Sequence, residues 1–248
     1  CGDWNDGMNQ VGIEGKGESV WLAWFFALTA KKFSEIAELR NDTALSETLR
    51  EKARGLVNAA DEHAWDGAWY RRAFFDDGSP LGTASDSECK IDSLAQSWSV
   101  MAGLAPRERQ LKGFESAYER IVDKEAMIIK LLTPSFSNHQ PSPGYIQGYP
   151  PGIRENGGQY THGSCWMVFA AAELGLGDKA HELFQILNPI EHTRSEAWVE
   201  RYQTEPYVTC GDVYSNHNTM VEEDGAGTQV QVVGYIEEAW KQSAAYKE

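Results

Sequence analysis

The sequence predicts an all-α chain, arranged as an α/α toroid or bundle rather than around a parallel sheet. Three observations carry this. Apolar residues recur at helical spacing through most of the 248 residues. The helical stretches come in successive pairs, and the segment 133–160, rich in Pro, Gly, Ser and Asn, reads as a long ordered loop of the kind that carries function. With 42% hydrophobic residues, the chain can bury a sizeable core in one large domain or part of one.

From Glu18 onward, Val20, Trp21, Trp24, Phe25 and Leu28 continue toward Phe33, Ile36 and Leu39 at helical spacing. A second helix follows Asp42-Thr43, with Leu45, Leu49, Ala53, Leu56, Val57 and Ala60 three and four residues apart. The rhythm breaks between Trp65 and Asp77, where Trp69 to Phe75, ahead of Asp77-Gly78, reads as a short strand and turn. Helices resume from Ser93 to Ala102 and, with Pro106 at a helix start, on to Asp123. Helices from Ser164 to Leu174 and from Asp178 to Leu187 form a hairpin across Gly175-Leu176-Gly177. A short helix from Arg194 to Arg201 precedes Glu205-Pro206, and no internal repeat is evident.

A net charge of -15 excludes nucleic acid as a partner, which needs a basic footprint, and weakens any case for direct contact with an anionic membrane. Cys1, Cys89, Cys165 and Cys210 show no metal-ligand spacing, so free thiols in a reducing compartment are expected. No apolar run reaches membrane-spanning length, and no signal-peptide pattern opens the chain. A Cys in first place and a motif already at residue 2 lead us to expect a fragment lacking its N-terminal part. Several of the nine Trp and ten Tyr sit beside Gly, Asn and Asp, a setting that favours stacking on sugars over core filling.

Two runs concentrate polar chemistry. In Gly2-Asp3-Trp4-Asn5-Asp6-Gly7, either carboxylate is a candidate acid beside apolar indole surface, with Asn5 available to sugar hydroxyls. The same residues also read as an Asx-rich turn in which Asp6 caps the following helix. Arg154, Glu155, Asn156, Gln159, Tyr160 and His162 pack six polar or amphipathic groups beside two glycines, a density costly to bury without purpose. His162 precedes a helix start, where anions are favoured. Gln203 and Glu205 stand equally well as ordinary helix termination. Asp86, Glu88 and Asp92 read as a solvated loop rather than a cation site, and Arg71-Arg72 as a surface strand edge. No P-loop, dinucleotide fingerprint, HExxH or GxSxG occurs.

The run Gly2 to Asn9, with Gly17-Glu18-Ser19-Val20-Trp21, then Tyr149 to His162, then Arg201 to Val208, resembles glycoside hydrolase family 94. Trp69 to Arg72, Asp76-Asp77-Gly78 and Leu187 to Ile190 extend the likeness. Within that family it is similar to the phosphorylase-like part of cyclic β-1,2-glucan synthases and to 1,2-β-oligoglucan phosphorylases. The resemblance implies an (α/α)6 barrel that carries out inverting phosphorolysis, without metal or organic cofactor, on a β-glucan oligosaccharide with inorganic phosphate as co-substrate. By motif position Asp6 is the general acid and Asp3 its support. Trp4, Asn5, Arg154, Glu155, Tyr160, Gln203 and Glu205 line the sugar site, and His162 contacts phosphate. A cytoplasmic location is implied, with any longer parent associated with the inner membrane and this part on its cytoplasmic side.

After Ser215 the family pattern of aromatics followed by Thr-Gly, a further phosphate contact, is missing, although the degenerate codons of the shifted frame permit it. Residues 1–216 are therefore expected to be a partial barrel and 217–248 a tail translated out of frame. An incomplete barrel should leave helix faces uncovered and favour self-association. A catalytically inert oligosaccharide-binding fragment and an inverting hydrolase, using Glu155 or Glu205 as base, are the alternatives to phosphorolysis.

Overall fold

The computed structural model describes residues 2–214, so the expected tail at 217–248 lies outside the described residues. Seven α-helices are found within that range: α1 Val20–Leu39, α2 Thr43–His63, α3 Ser93–Met101, α4 Arg107–Ile121, α5 Thr161–Glu173, α6 Gly177–Leu187 and α7 Glu196–Tyr202. The first six form three hairpins, and α3 packs against both α1 and α5. Strands are two residues long and serve as clips between loops, such as Glu18–Ser19 on Ala73–Phe74, Ile91–Asp92 on Leu132–Thr133, and Gln159–Tyr160 on Asp212–Val213.

The helix starts have local causes. Ser19 Oγ accepts from Leu22 N to begin α1, Asp42 accepts from Leu45 N at 3.1 Å to begin α2, and Asp92 accepts from Leu94 N at 2.6 Å to begin α3. The helix expected from Ser164 begins instead at Thr161, whose N–H is taken by the Gly211 carbonyl at 2.9 Å. This tertiary hydrogen bond replaces a side-chain cap, so the start leaves no signature in the local sequence.

Alanines let α1 and α2 approach closely: Ala27 and Ala30 meet Ala53 in one buried cluster. A second cluster joins Trp21 and Trp24 of α1 to Tyr70 and to Leu94, Ala95 and Trp98 of α3. The largest unites Phe114, Ala117 and Ile121 of α4 with Met167, Ala170 and Ala171 of α5 and Leu183 and Ile186 of α6. Outside these clusters α1 keeps a second apolar face. Phe25, Phe26, Phe33, Ile36 and Leu39 are 39, 43, 49, 51 and 83% exposed, and all belong to one 20-residue helix. Beside Phe26, an open cavity of about 630 Å³ is lined by Met8, Val11, Leu22, Leu56 and Ala59.

Two readings of the acidic and basic residues are corrected. Arg72 is fully buried rather than at a surface edge, held by Asp3 on one side and the equally buried Asp92 on the other. Gly82, at φ +91°, allows this: a Cβ there would stand 2.5 Å from the Arg72 backbone nitrogen. Asp86 and Glu88 are half-buried anchors rather than a solvated loop. Asp86 accepts the N–H groups of Gly82 and Thr83 at 2.8 Å, and Glu88 those of Ser137 and Asn138.

His192 secures the segment before α7. One ring nitrogen lies 2.6 Å from the Ile186 carbonyl, and the ring stacks on Tyr202 with centroids 4.4 Å apart. Its Nδ1 is buried without a partner. Burial lowers the imidazole pKa below its usual 6.5, against the opposing pull of the Ile186 carbonyl and Glu191. A depressed pKa means that the unfolded chain binds a proton before the folded one does. Stability is therefore complete above pH 6.5 and falls as the pH drops through the lower folded-state value. Denaturant unfolding followed from pH 7.5 to 5 should show this decline, and His192→Phe, which keeps the ring stack, should flatten it.

Candidate active site

The first loop is built around a carboxylate that does not face solvent. Asp3 takes both terminal nitrogens of Arg72, at 2.8 and 2.5 Å, together with the Ser19 hydroxyl and the Asn5 N–H at 2.8 Å. Burial alone would raise its pKa, but Arg72's charge and hydrogen bonds outweigh that and hold it below the usual carboxylate range. Asn5, 2% exposed, then accepts the Gly7 N–H at 3.0 Å and caps the short 3₁₀ turn Asp6–Met8. Asp6 therefore caps no helix: Asn5 caps this turn and Ser19 caps α1. Asp6 projects from the first residue of that turn into solvent.

Trp4 points toward the second run. Its indole meets Tyr160 edge-on with centroids 5.1 Å apart, contacts Trp166 at 5.7 Å, and donates Nε1–H to His162 Nδ1 at 3.1 Å. With Nδ1 accepting, the neutral imidazole carries its proton on Nε2. His162 itself is exposed in the first turn of α5, with its ring 4.4 Å from that of Trp166. Trp4 therefore joins the first loop to the first turn of α5.

The long loop closes against the first one. Gln10 N donates to the Pro143 carbonyl at 3.1 Å, and Asn9 Oδ1 accepts Tyr145 N at 3.2 Å. The Tyr145 phenol pKa is pushed up by burial and then by the charge of nearby Asp6. Tyr145 meets Tyr149 edge-on at 6.1 Å, and the Arg154 guanidinium lies 5.2 Å above the Tyr149 ring. Arg154 pairs with Glu155 at 3.5 Å. Burial opposes the Arg154 charge, but Glu155, Tyr149 and Asp212 outweigh it and hold the guanidinium firmly protonated. Its backbone is left-handed (φ 50°), an uncommon conformation for a non-glycine residue, within a tight Ile153–Asn156 turn.

Two of the six polar groups in this run are struts rather than ligand contacts. Asn156 bonds Phe136 N and O and the Tyr149 carbonyl, and Gln159 accepts Ile129 N at 2.8 Å. Two other buried side-chain atoms on the two loops, Asn5 Nδ2 and Gln147 Oε1, have no hydrogen-bond partner. Each unmet group costs about 1–3 kcal/mol, a cost that a bound polyol would relieve.

Gln203 and Glu205 lie at and just beyond the end of α7. Gln203 is the left-handed C-cap of α7, and Glu205 accepts from Thr204. Both are exposed, and among the described residues no hydrogen bond ties either to Trp4, Asp6 or Arg154. Asp212, which sequence reasoning missed, is brought close to Arg154 by the pairing of Asp212 with Tyr160. Nothing near Asp212 in the sequence signals that role. Arg72 did carry a signal, a charge set beside the apolar run Ala73-Phe74-Phe75. Among the described residues, no group of His, Cys, Asp and Glu is arranged to hold a metal ion.

The chain is 45% identical over 213 residues to the cyclic beta-(1,2)-glucan synthase NdvB of Rhizobium meliloti (strain 1021), covering 86% of this chain and 8% of that protein. It is 32% identical to a solabiose phosphorylase of Paenibacillus borealis, covering 79% of this chain and 26% of the relative. With an N,N'-diacetylchitobiose phosphorylase of Vibrio furnissii it shares 30% identity, over 83% of this chain and 25% of the other. It thus spans less than a tenth of the first relative and about a quarter of the other two. A crystal structure of an uncharacterized conserved protein from Thermus thermophilus shares the fold at TM-score 0.50 and 16% identity, over 77% of this chain and 40% of that one. The model of the glycosyl hydrolase 94 superfamily catalytic domain matches residues 1–232, and the chain belongs to that family.

Proposed function

We propose that this chain supplies the acid side of an inverting glycoside phosphorylase acting on a β-glucan, β-1,2-linked in keeping with its likeness to the glucan synthase. Asp6 is the general acid. It protonates the glycosidic oxygen as the bond to C1 breaks, while a phosphate oxygen bonds C1 from the opposite face, releasing α-glucose 1-phosphate and a shortened glucan. Trp4, Asn5, Arg154, Glu155 and Tyr160 hold the donor sugar, and His162 turns its Nε2–H to phosphate. Gln203 and Glu205 are assigned to the sugar site on motif position alone. The observation that carries the reading is the Trp4–His162 hydrogen bond at 3.1 Å, which ties the acid loop to the phosphate loop. Glu155 is paired with Arg154 and Glu205 is exposed, so neither is set up as the base that a hydrolase needs. We place the reaction in the cytoplasm, in keeping with the family likeness alone; separately, no described helix is long and apolar enough to cross a membrane.

The full-length protein, given glucans of defined linkage with and without phosphate, should release α-glucose 1-phosphate only with phosphate and from the β-1,2 substrate. Asp6→Asn should lower that rate by about 10²- to 10⁴-fold. Free glucose made without phosphate would overturn the reading. His162→Ala should raise the KM for phosphate by about 10- to 100-fold, the loss of one hydrogen bond to a charged group. A change confined to the KM for glucan would refute the phosphate role.

We further propose that the outward face of α1 packs against additional helices of an (α/α)6 barrel. The support is its stripe of exposed Phe and Ile and the adjoining apolar cavity. The 248-residue chain in isolation should then bind an apolar dye and self-associate in light scattering. A monodisperse monomer that unfolds cooperatively would contradict this.

A further inference from the structure

We infer that Arg72 is a positioning residue: through Asp3 it fixes the loop that presents Asp6, and it acts on turnover rather than on substrate affinity. The inference rests on Asp6 being the acid. Among the described residues the Asp6 side chain forms no hydrogen bond, so its place is set by its backbone. That backbone is bracketed. Asn5 N is held by Asp3 Oδ1 at 2.8 Å, and Gly7 N by Asn5 Oδ1 at 3.0 Å. Asp3 in turn has its two oxygens on the two terminal nitrogens of Arg72, a planar fork that fixes both the position and the tilt of the carboxylate. The Ser19 hydroxyl, at the start of α1, adds a third contact.

The other end of the guanidinium is anchored as firmly. Arg72 Nε donates to Asp92 at 3.0 Å, and the backbone on either side of Arg72 is tied by Arg72 N to the Leu81 carbonyl and Val20 N to the Arg72 carbonyl. Asp92 lies in the strand paired with Leu132–Thr133, next to Leu131, whose N–H bonds the Gly158 carbonyl. Gly158 is four residues before His162. Asp92 thus anchors Arg72 to the scaffold, while Asp3 alone carries the contact to the acid loop, where small displacements of reacting groups cost turnover steeply.

A merely structural ion pair would behave differently, and the two carboxylates of Arg72 allow the comparison. In the full-length protein, Asp3→Asn and Asp92→Asn each weaken one side of the same buried guanidinium, but only the first touches the acid loop. We expect Asp3→Asn to lower kcat by about 100-fold with both KM values within about threefold, a displacement of order 1 Å at the acid. Asp92→Asn should lower the unfolding midpoint comparably and keep kcat within about threefold. Arg72→Lys, which keeps the charge but loses the fork, should follow Asp3→Asn. Ser19→Ala, a milder change for the case in which the charged variants do not fold, should lose several-fold in kcat alone. Equal losses of kcat in Asp3→Asn and Asp92→Asn, or losses that appear in KM, would overturn the positioning role while wild-type phosphorolysis and its abolition in Asp6→Asn left the underlying reading intact. Absence of phosphate-dependent turnover in the wild type would overturn that reading and this inference together.

Discussion

A guanidinium with no solvent contact, caught between the carboxylates of Asp3 and Asp92, is the constraint on which the rest of this structure depends. Removing such a charge from water is expensive, and only near-complete hydrogen bonding makes it tolerable. Arg72 achieves this with Asp3, Asp92 and Ser19, each on a different segment: the loop before the first helix, the cap of α3 and the cap of α1. The two carboxylates respond in opposite ways. Burial pushes the Asp92 pKa up despite Arg72, whereas the fork on Asp3 brings its pKa down. The geometry of the cluster ties together three pieces of chain that share no regular sheet or helix.

Above this anchor the candidate site is assembled from loops, as is common where a rigid helical scaffold carries variable chemistry. Trp4 is the joint. One face of the first loop is fixed by Asp3, and from the other Trp4 reaches Tyr160, His162 and Trp166. The second loop has its own internal supports, Asn156 and Gln159, whose amides bind backbone. Those two residues explain how so many polar groups occupy so few positions: part of the density holds the loop itself. Gly157, at φ +85° with a would-be Cβ 2.1 Å from Ser135 Oγ, shows how little freedom the turn has.

The helices were largely legible because their signals are local. Asp42 caps α2 and Pro106 precedes α4 as the sequence implies, and the apolar spacing of α1 runs over its whole length. The start of α5 was not legible, since its first N–H is satisfied by Gly211, some fifty residues away. The two-residue strands are too short to show any periodicity. The misreading of Arg72 has a general cause. A charged residue is assigned to the surface by default, and its burial depends on partners at positions 3 and 92 that only the fold brings together. For the site, the motifs located both loops and the residues that join them. They gave no indication that Asp212 would lie close to Arg154.

α1 carries apolar residues on both faces, unlike the single apolar stripe of an ordinary surface helix. α1 buries Trp21, Trp24, Ala27 and Ala30 against α2 and α3, yet leaves Phe25, Phe33 and Ile36 open. Rings continue from that open face into the site: Phe25 lies 5.3 Å from both Trp21 and Trp98, Trp98 5.2 Å from Trp166, and Trp166 4.4 Å from His162. Close-packed aromatic groups have few alternative arrangements, because each ring's tilt is set by its neighbours. Whatever covers Phe25 therefore bears, ring by ring, on the imidazole that the proposed chemistry assigns to phosphate. Packing on α1 and ordering of the site are thus one connected problem.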